Sequence, residues 1–116
     1  MHELPITERI LDVVLKHTEG RNVQKIVRIH LRIGELSDLE DEWIQHYFNY
    51  LGKGTLAEQA VLVIKRSPIR LRCRSCANLF EISKRELGSA CCPDCGDKRP
   101  TFVSGREYFI ENMEVI

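Results

Sequence analysis

The chain has 116 residues, the size of one ordinary domain or of a small domain carrying a smaller module. Hydrophobic residues at 43% and charged residues at 29% exclude a compositionally disordered chain, and 17 Lys+Arg against 17 Asp+Glu give no global pull toward a polyanionic partner. The longest apolar run, 60–64, is far short of the roughly 20 residues a bilayer span needs, and the first residues lack the basic start and apolar core of a secretory signal, so a cytoplasmic protein without membrane attachment is expected.

Over the first 20 residues Ile6, Ile10, Val13, Val14 and His17 recur at three- and four-residue spacing, with Glu8, Arg9, Asp12 and Lys16 on the other side. That pattern predicts an amphipathic helix, with Pro5 tolerated in its first turn and Gly20 as its stop. From 23 to 33 the period becomes two. Val27, Ile29, Leu31 and Ile33 alternate with Arg28, His30 and Arg32, which predicts a half-buried strand. Ser37 or Asp38 is expected to cap a second helix, whose first turn holds Glu40, Asp41 and Glu42. Its stripe of Trp43, Ile44, Tyr47, Phe48 and Leu51 reads as core rather than as a ligand platform. A second strand over 61–66 ends at Ser67-Pro68, and a last strand over 107–115 is expected to be buried on part of both faces. The fold class this implies is α+β, with two helices packed on a small three-stranded sheet.

Between the second and third strands all five cysteines fall within residues 70–106, where eight Lys/Arg stand against four Asp/Glu. That shift in composition marks an inserted module, so that 1–68 plus 106–116 form one domain and 69–105 the other. Cys73-Arg-Ser-Cys76 and Cys92-Pro-Asp-Cys95 are two C-x-x-C loops of the kind that offer four thiolates to a tetrahedral metal, as in a zinc ribbon. Four thiolates leave no open position, so Zn(II) here is expected to be structural. A segment this short with few large apolar groups needs such a staple. Cys91 breaks the two-residue spacing and is left free. Gly96 after the second loop can adopt positive φ, whereas Ala77 stands in that place after the first, and Asn78 is expected to take the left-handed conformation instead.

Many zinc ribbons bind nucleic acid, but the basic residues here lack interleaved aromatic rings for stacking, so no nucleic-acid partner is expected. No Ser/His/Asp or Cys/His constellation and no phosphate loop is present, so the protein is not expected to be an enzyme. His17 reads as a partly buried structural histidine, and His30 and His46 as surface residues. A zinc-ribbon module that serves only protein interaction, or one that does bind nucleic acid, is the alternative.

Met1-His2-Glu3, Ile33-Gly34-Glu35-Leu36-Ser37, Lys53-Gly54-Thr55-Leu56-Ala57-Glu58, Pro68 before the first C-x-x-C, Cys92-Pro-Asp-Cys95-Gly96, and Gly105-Arg106-Glu107 before Met113-Glu114-Val115 follow one another in an order that resembles the HypA/HybF family of hydrogenase maturation proteins. The resemblance covers essentially the whole chain. It implies a nickel metallochaperone that binds Ni(II) at its N-terminus as transferred cargo, carries structural zinc in the ribbon, and delivers nickel to the large subunit of [NiFe]-hydrogenase. It also implies work with a HypB-type GTPase, and in some members with urease maturation proteins. The chemistry of the first residues agrees. A retained Met1 amine, the deprotonated amide nitrogen of His2 and its imidazole close two fused chelate rings, and the amide of Glu3 completes a tetragonal nitrogen set suited to Ni(II) or Cu(II). Glu40 is a candidate for an added carboxylate ligand. Ser67-Pro68 and Gly105 read as candidate hinges, so a monomer or an element-exchanged homodimer is expected.

Overall fold

The structure is a computed structural model that describes residues 3–116. Helix α1 spans Glu3–Thr18, strand β1 Ile26–Gly34, helix α2 Asp41–Leu51 and strand β2 Val61–Ser67. Strands β3 (Ile69–Arg72) and β4 (Leu79–Ile82), a 3₁₀ turn at Lys84–Ser89, β5 (Thr101–Ser104) and β6 (Tyr108–Val115) follow. One three-stranded sheet has the order β2-β1-β6 and a second the order β4-β3-β5. The α+β class and the two-helix, three-stranded design are therefore as expected. No helix among the described residues is long and apolar enough to cross a membrane.

The chain divides into two compact units. The first comprises the segment ending at Leu31, with Leu39–Lys65 and Phe109–Ile116; the second comprises Arg32–Asp38 and Arg66–Tyr108.

In the first unit α1 and α2 pack on each other. The buried side of α1 is Thr7, Ile10, Leu11, Val14 and Thr18, rotated from the predicted stripe, and Val13 is 48% exposed while His17 is also exposed. Two threonines can occupy that side because each hydroxyl donates to its own helix, Thr7 to the Glu3 carbonyl and Thr18 to the Leu15 carbonyl at 2.9 Å, so burial strands no polar group. In β1, Ile29, Leu31 and Ile33 are buried in alternation as the period-two pattern predicts, but at the strand's start Ile26 is buried and Val27, expected inside, is only partly so. Helix α2 starts later than Ser37 or Asp38 would place it. Its N-cap is Glu40 (φ −101°, ψ 127°), with no side-chain cap. Ile44 and Phe48 are its buried residues, whereas Trp43, expected in the core, is 47% exposed. A two-position apolar stripe is enough to seat so short a helix, and the aromatic residues flanking it stay outside. The last strand also departs from expectation. It lies at the sheet edge, and Tyr108, Phe109 and Val115 are each more than two-fifths exposed.

In the second unit β3 pairs antiparallel with β4, Leu71 opposite Phe80 and Arg72 opposite Leu79, and with β5, Leu71 opposite Phe102. Ile69, Leu71 and Ile82 form its small core, with Leu36, Phe80 and Ala90 against them. Its ends are fixed by backbone contacts: Leu36 N–H to the Gly105 carbonyl at 2.9 Å and Glu35 N–H to the Ser67 carbonyl at 2.9 Å. A Cβ on Gly34 would lie 2.0 Å from the Gly105 oxygen, and Gly105 itself has φ +117°, so only glycine fits at both positions.

Candidate metal centre

Strand β3 runs directly into Cys73, and the chain then turns back on itself. Ala77 N–H donates to the Cys73 carbonyl at 3.0 Å, and Cys73 N–H donates to the Asn78 carbonyl at 2.9 Å. The second loop repeats both bonds. Gly96 N–H reaches the Cys92 carbonyl at 2.9 Å and Cys92 N–H the Asp97 carbonyl at 2.9 Å. The two loops are thus the same knuckle built twice, and each needs a left-handed residue after its second cysteine. Gly96 supplies it at φ 77° and Ala77 at φ 61°. The expectation that Asn78 would take this conformation is corrected. The two reciprocal bonds fix which position turns, and Ala77 bears a strain of about 1–2 kcal/mol.

The knuckles bring four sulfurs together. Cys73 and Cys95 Sγ are 3.3 Å apart, Cys76 and Cys92 Sγ 3.5 Å, and all four lie within 4.8 Å of one another. Tetrahedral bonds of about 2.3 Å to a central ion require S···S spacings near ~3.8 Å, inside this range. Cys73 and Cys92 are buried, Cys76 and Cys95 exposed, and Cys91 is exposed and outside the group. Among the described residues this is the one cluster of three or more such ligands.

The electrostatics suit a cation. Burial opposes the charged form of Cys92, but hydrogen bonds from the backbone at Cys95 and Asp94 outweigh it and hold the thiol down at about 6. At Cys95 the Asp97 amide favours the thiolate, yet the neighbouring sulfurs, Cys73 foremost, and burial push it up to about 12. Cys76 is likewise raised: the Asn78 amide favours its thiolate, but Cys92 and burial prevail. Crowded sulfurs oppose one another's ionisation, which a bound cation would relieve.

Sequence reasoning missed the residues that brace the cysteines. The Ser75 hydroxyl in the first knuckle donates to Asp97 Oδ2 in the second, and Asp97 Oδ1 accepts from Arg99 N–H at 2.9 Å. The Ser75 hydrogen bond, then that from Arg99, holds the Asp97 carboxyl below its ordinary value. Asn78 Nδ2 points at Cys92 Sγ from 3.9 Å. Asn78 and Asp97 occupy the same place in the two knuckles, two residues after the last cysteine, which is a signal the sequence does carry.

Of the residues read as the nickel set, Met1 and His2 lie outside the described residues. Glu3 opens α1 and is buried, and its Oε2 accepts the backbone N–H of Glu40 at 3.0 Å. Glu40 is exposed. Residue 3 and the start of α2 are therefore adjacent. The other histidines are elsewhere: His30 Nε2 lies 2.8 Å from Glu114 Oε2, and the His46 ring packs edge-on against Trp43 at 5.7 Å.

Comparison with known proteins gives one answer. The family described as "Hydrogenase/urease nickel incorporation, metallochaperone, hypA" matches residues 1–115. The hydrogenase maturation factor HypA of Caldanaerobacter subterraneus subsp. tengcongensis is 37% identical over 121 residues, covering 99% of each chain. That of Geobacter sulfurreducens is 37% identical over 115 residues, also covering 99% of each. Among solved structures, a HypA protein solution structure aligns with TM-score 0.76 at 23% identity over 100% of this chain and 97% of that one. The Ni metallochaperone HypA from Helicobacter pylori aligns with TM-score 0.69 at 22% identity, over 100% and 98%; both show the shared fold. Matched along its length by sequence, the chain belongs to the HypA family of nickel-incorporation metallochaperones.

Proposed function

We propose that this protein binds Ni(II) through the Met1 amine, the His2 amide and imidazole and the Glu3 amide, with Glu40 as a further ligand, and hands it to the large subunit of [NiFe]-hydrogenase. The observation that supports the nickel reading is the hydrogen bond from the Glu40 backbone N–H to the Glu3 carboxylate at 3.0 Å. It joins two residues of the proposed set that are 37 apart in the chain. Glu3 is also the first residue of α1, so its amide has no helical acceptor to give up. A tetragonal nitrogen set favours Ni(II) over harder ions, and the need to lose amide protons makes binding tighten as pH rises.

Cys73, Cys76, Cys92 and Cys95 would hold Zn(II) in the second unit. An all-thiolate donor set is the usual one for closed structural zinc, and the crowded, unequal thiols described above fit it. The four cysteines would tie the two knuckles together through Zn(II), while the chain itself orders them through the repeated amide bonds and the Ser75–Asp97 bridge. On this reading 1–68 plus 106–116 is the nickel domain and 69–105 the zinc domain, and the protein is a cytoplasmic carrier rather than an enzyme. Its partners would be a HypB-type GTPase, the hydrogenase large subunit and, in a urease-containing cell, urease maturation proteins.

Calorimetric titration of Ni²⁺ into zinc-loaded, untagged protein tests the site. His2→Ala, and separately a short N-terminal extension that removes the free amine, should each abolish tight binding while zinc content and circular dichroism stay unchanged. Equal affinity with an unchanged nickel spectrum in the extended protein would rule the amine out as a ligand.

A further inference from the structure

Helix α2 carries more aromatic surface than its packing uses. Trp43 is 47% and Tyr50 68% exposed. Trp43 and Tyr47 are stacked with ring centroids 5.8 Å apart, and His46 fills the angle between them, 5.7 Å from each. The four residues fall at spacings of three and four, so they form one stripe along the helix beside the buried Ile44 and Phe48. Lys53 Nζ lies 5.8 Å from the Tyr50 centroid, so this surface already holds one cation over an aromatic face.

On the other side of His46 is a recess of ≈ 510 Å³ between α2 and β2, with Asp41, Glu42, Gln45 and Leu62 among its walls. Gln45 closes its floor, accepting from Leu62 N–H at 2.9 Å and donating to Asn49 Oδ1 at 2.7 Å. The start of α2 is acidic, and Lys53 lies just past its far end. Glu40, Asp41 and Glu42 are exposed, and the sequence has no Lys or Arg between Arg32 and Lys53. A half-exposed Trp43 stacked on a partly buried Tyr47, beside an acidic recess, matches a partner that presents arginine or lysine together with aliphatic side chains.

We propose that the outward face of α2, from Glu42 through Trp43, His46 and Tyr47 to Tyr50, is a docking surface for a basic amphipathic segment of a partner protein. Cationic groups of the partner lie over Trp43 and Tyr47 and in the Asp41–Glu42 recess. The proposal deepens the nickel-carrier reading and takes its purpose from it. Glu40 is the residue that opens α2 and meets Glu3, so a partner seated on the next turn of the helix is held beside the proposed cargo site.

Trp43 is the single tryptophan of the chain, and its fluorescence reads the surface directly. The probe is a synthetic helical peptide of about 15 residues with Arg and Leu on one face, compared with the same peptide carrying Glu in place of Arg. The Arg peptide should give a saturable blue shift, bind at least ~10-fold more tightly than the Glu peptide, and weaken as salt rises. Glu42→Gln should weaken binding several-fold and Tyr47→Ala by about 10-fold, and Trp43→Ala, followed by calorimetry, should do the same. Ni²⁺ affinity, titrated on the same variants, should stay at the wild-type value. Loss of nickel binding in the wild type would defeat the carrier reading and leave peptide docking standing. Equal binding of the two peptides, or binding untouched by Glu42→Gln and Tyr47→Ala, would overturn the docking surface. A concentration-dependent blue shift without peptide would assign the face to a second copy of the chain and overturn it equally.

Discussion

The two cysteine knuckles make a paired experiment because the left-handed position is alanine in one and glycine in the other. Ala77 has φ 61° and Gly96 φ 77°, in loops whose hydrogen bonds are otherwise the same. Ala77 is exposed, so replacing it with glycine removes strain and little packing. Relief of the left-handed conformation is worth about 1–2 kcal/mol, and the greater freedom of glycine in the unfolded chain returns about 0.4–1 kcal/mol. Ala77→Gly should therefore stabilise the knuckle by a net ~0.5–1 kcal/mol, or ~2- to 5-fold in its resistance to a chelator. Gly96→Ala should do the reverse. A Cβ there meets nothing within 4 Å, so its cost is conformational alone, about 1–2 kcal/mol in the fold offset by the stiffer unfolded chain to a net ~0.5–1 kcal/mol. Both variants are assayed by competing the zinc-loaded protein against graded chelator and reading released metal with a colorimetric indicator. If Ala77→Gly weakens retention, or Gly96→Ala leaves it unchanged, the left-handed position does not govern the knuckle and the reasoning fails.

Three other outcomes follow from the structure. Gly34→Ala puts a methyl group 2.0 Å from the Gly105 oxygen; the backbone cannot yield there cheaply, and the loss should be on the order of 3 kcal/mol or more, visible as a large drop in the urea midpoint. The His30 hydrogen bond, with help from Arg28 and against some desolvation, holds Glu114 below its ordinary value of 4.5. A carboxyl depressed in the folded state stabilises fully above its unfolded pKa and ceases to as pH falls through the folded one. The Glu114 carboxyl carbon should thus titrate at a low midpoint by NMR and move upward in His30→Ala, and an unchanged midpoint would count against the pair. Complete zinc removal should erase amide protection at 73–78 and 92–97 while that of Ile29 and Leu31 in β1 persists; retained protection in both knuckles would mean the fold does not need the metal.

Periodicity located both helices and all three strands of the larger sheet, since an amphipathic segment has to match its own geometry. It placed the buried face of α1 wrongly because a hydropathy count treats threonine as polar, whereas Thr7 and Thr18 satisfy their hydroxyls within the helix before they are buried. Trp43 was assigned to the core by size and spacing, but at 47% exposure it sits just beyond the Ile44–Phe48 line, a difference of one helical position that no pattern resolves. The edge position of β6 depends on strand order, which is a long-range property. The metal cluster was the most legible feature, because the C-x-x-C spacing is itself a covalent constraint on where two sulfurs can be. The conformation of Ala77, the Glu40 cap and the Ser75–Asp97 bridge all depend on a partner distant in the chain or on closure of a loop, and propensity alone carries neither.

The bridge between Ser75 and Asp97 joins the two knuckles by a route that does not pass through sulfur. Of the four cysteines, Cys76 and Cys95 face solvent and Cys73 and Cys92 do not. With Zn(II) held there as proposed, a competing thiol or chelator would meet the site from one side and reach the outer sulfurs first. Because the loops stay tethered, a released sulfur would remain at high effective concentration beside the site. Exchange would then run as a stepwise handover whose rate rises with the concentration of the competitor.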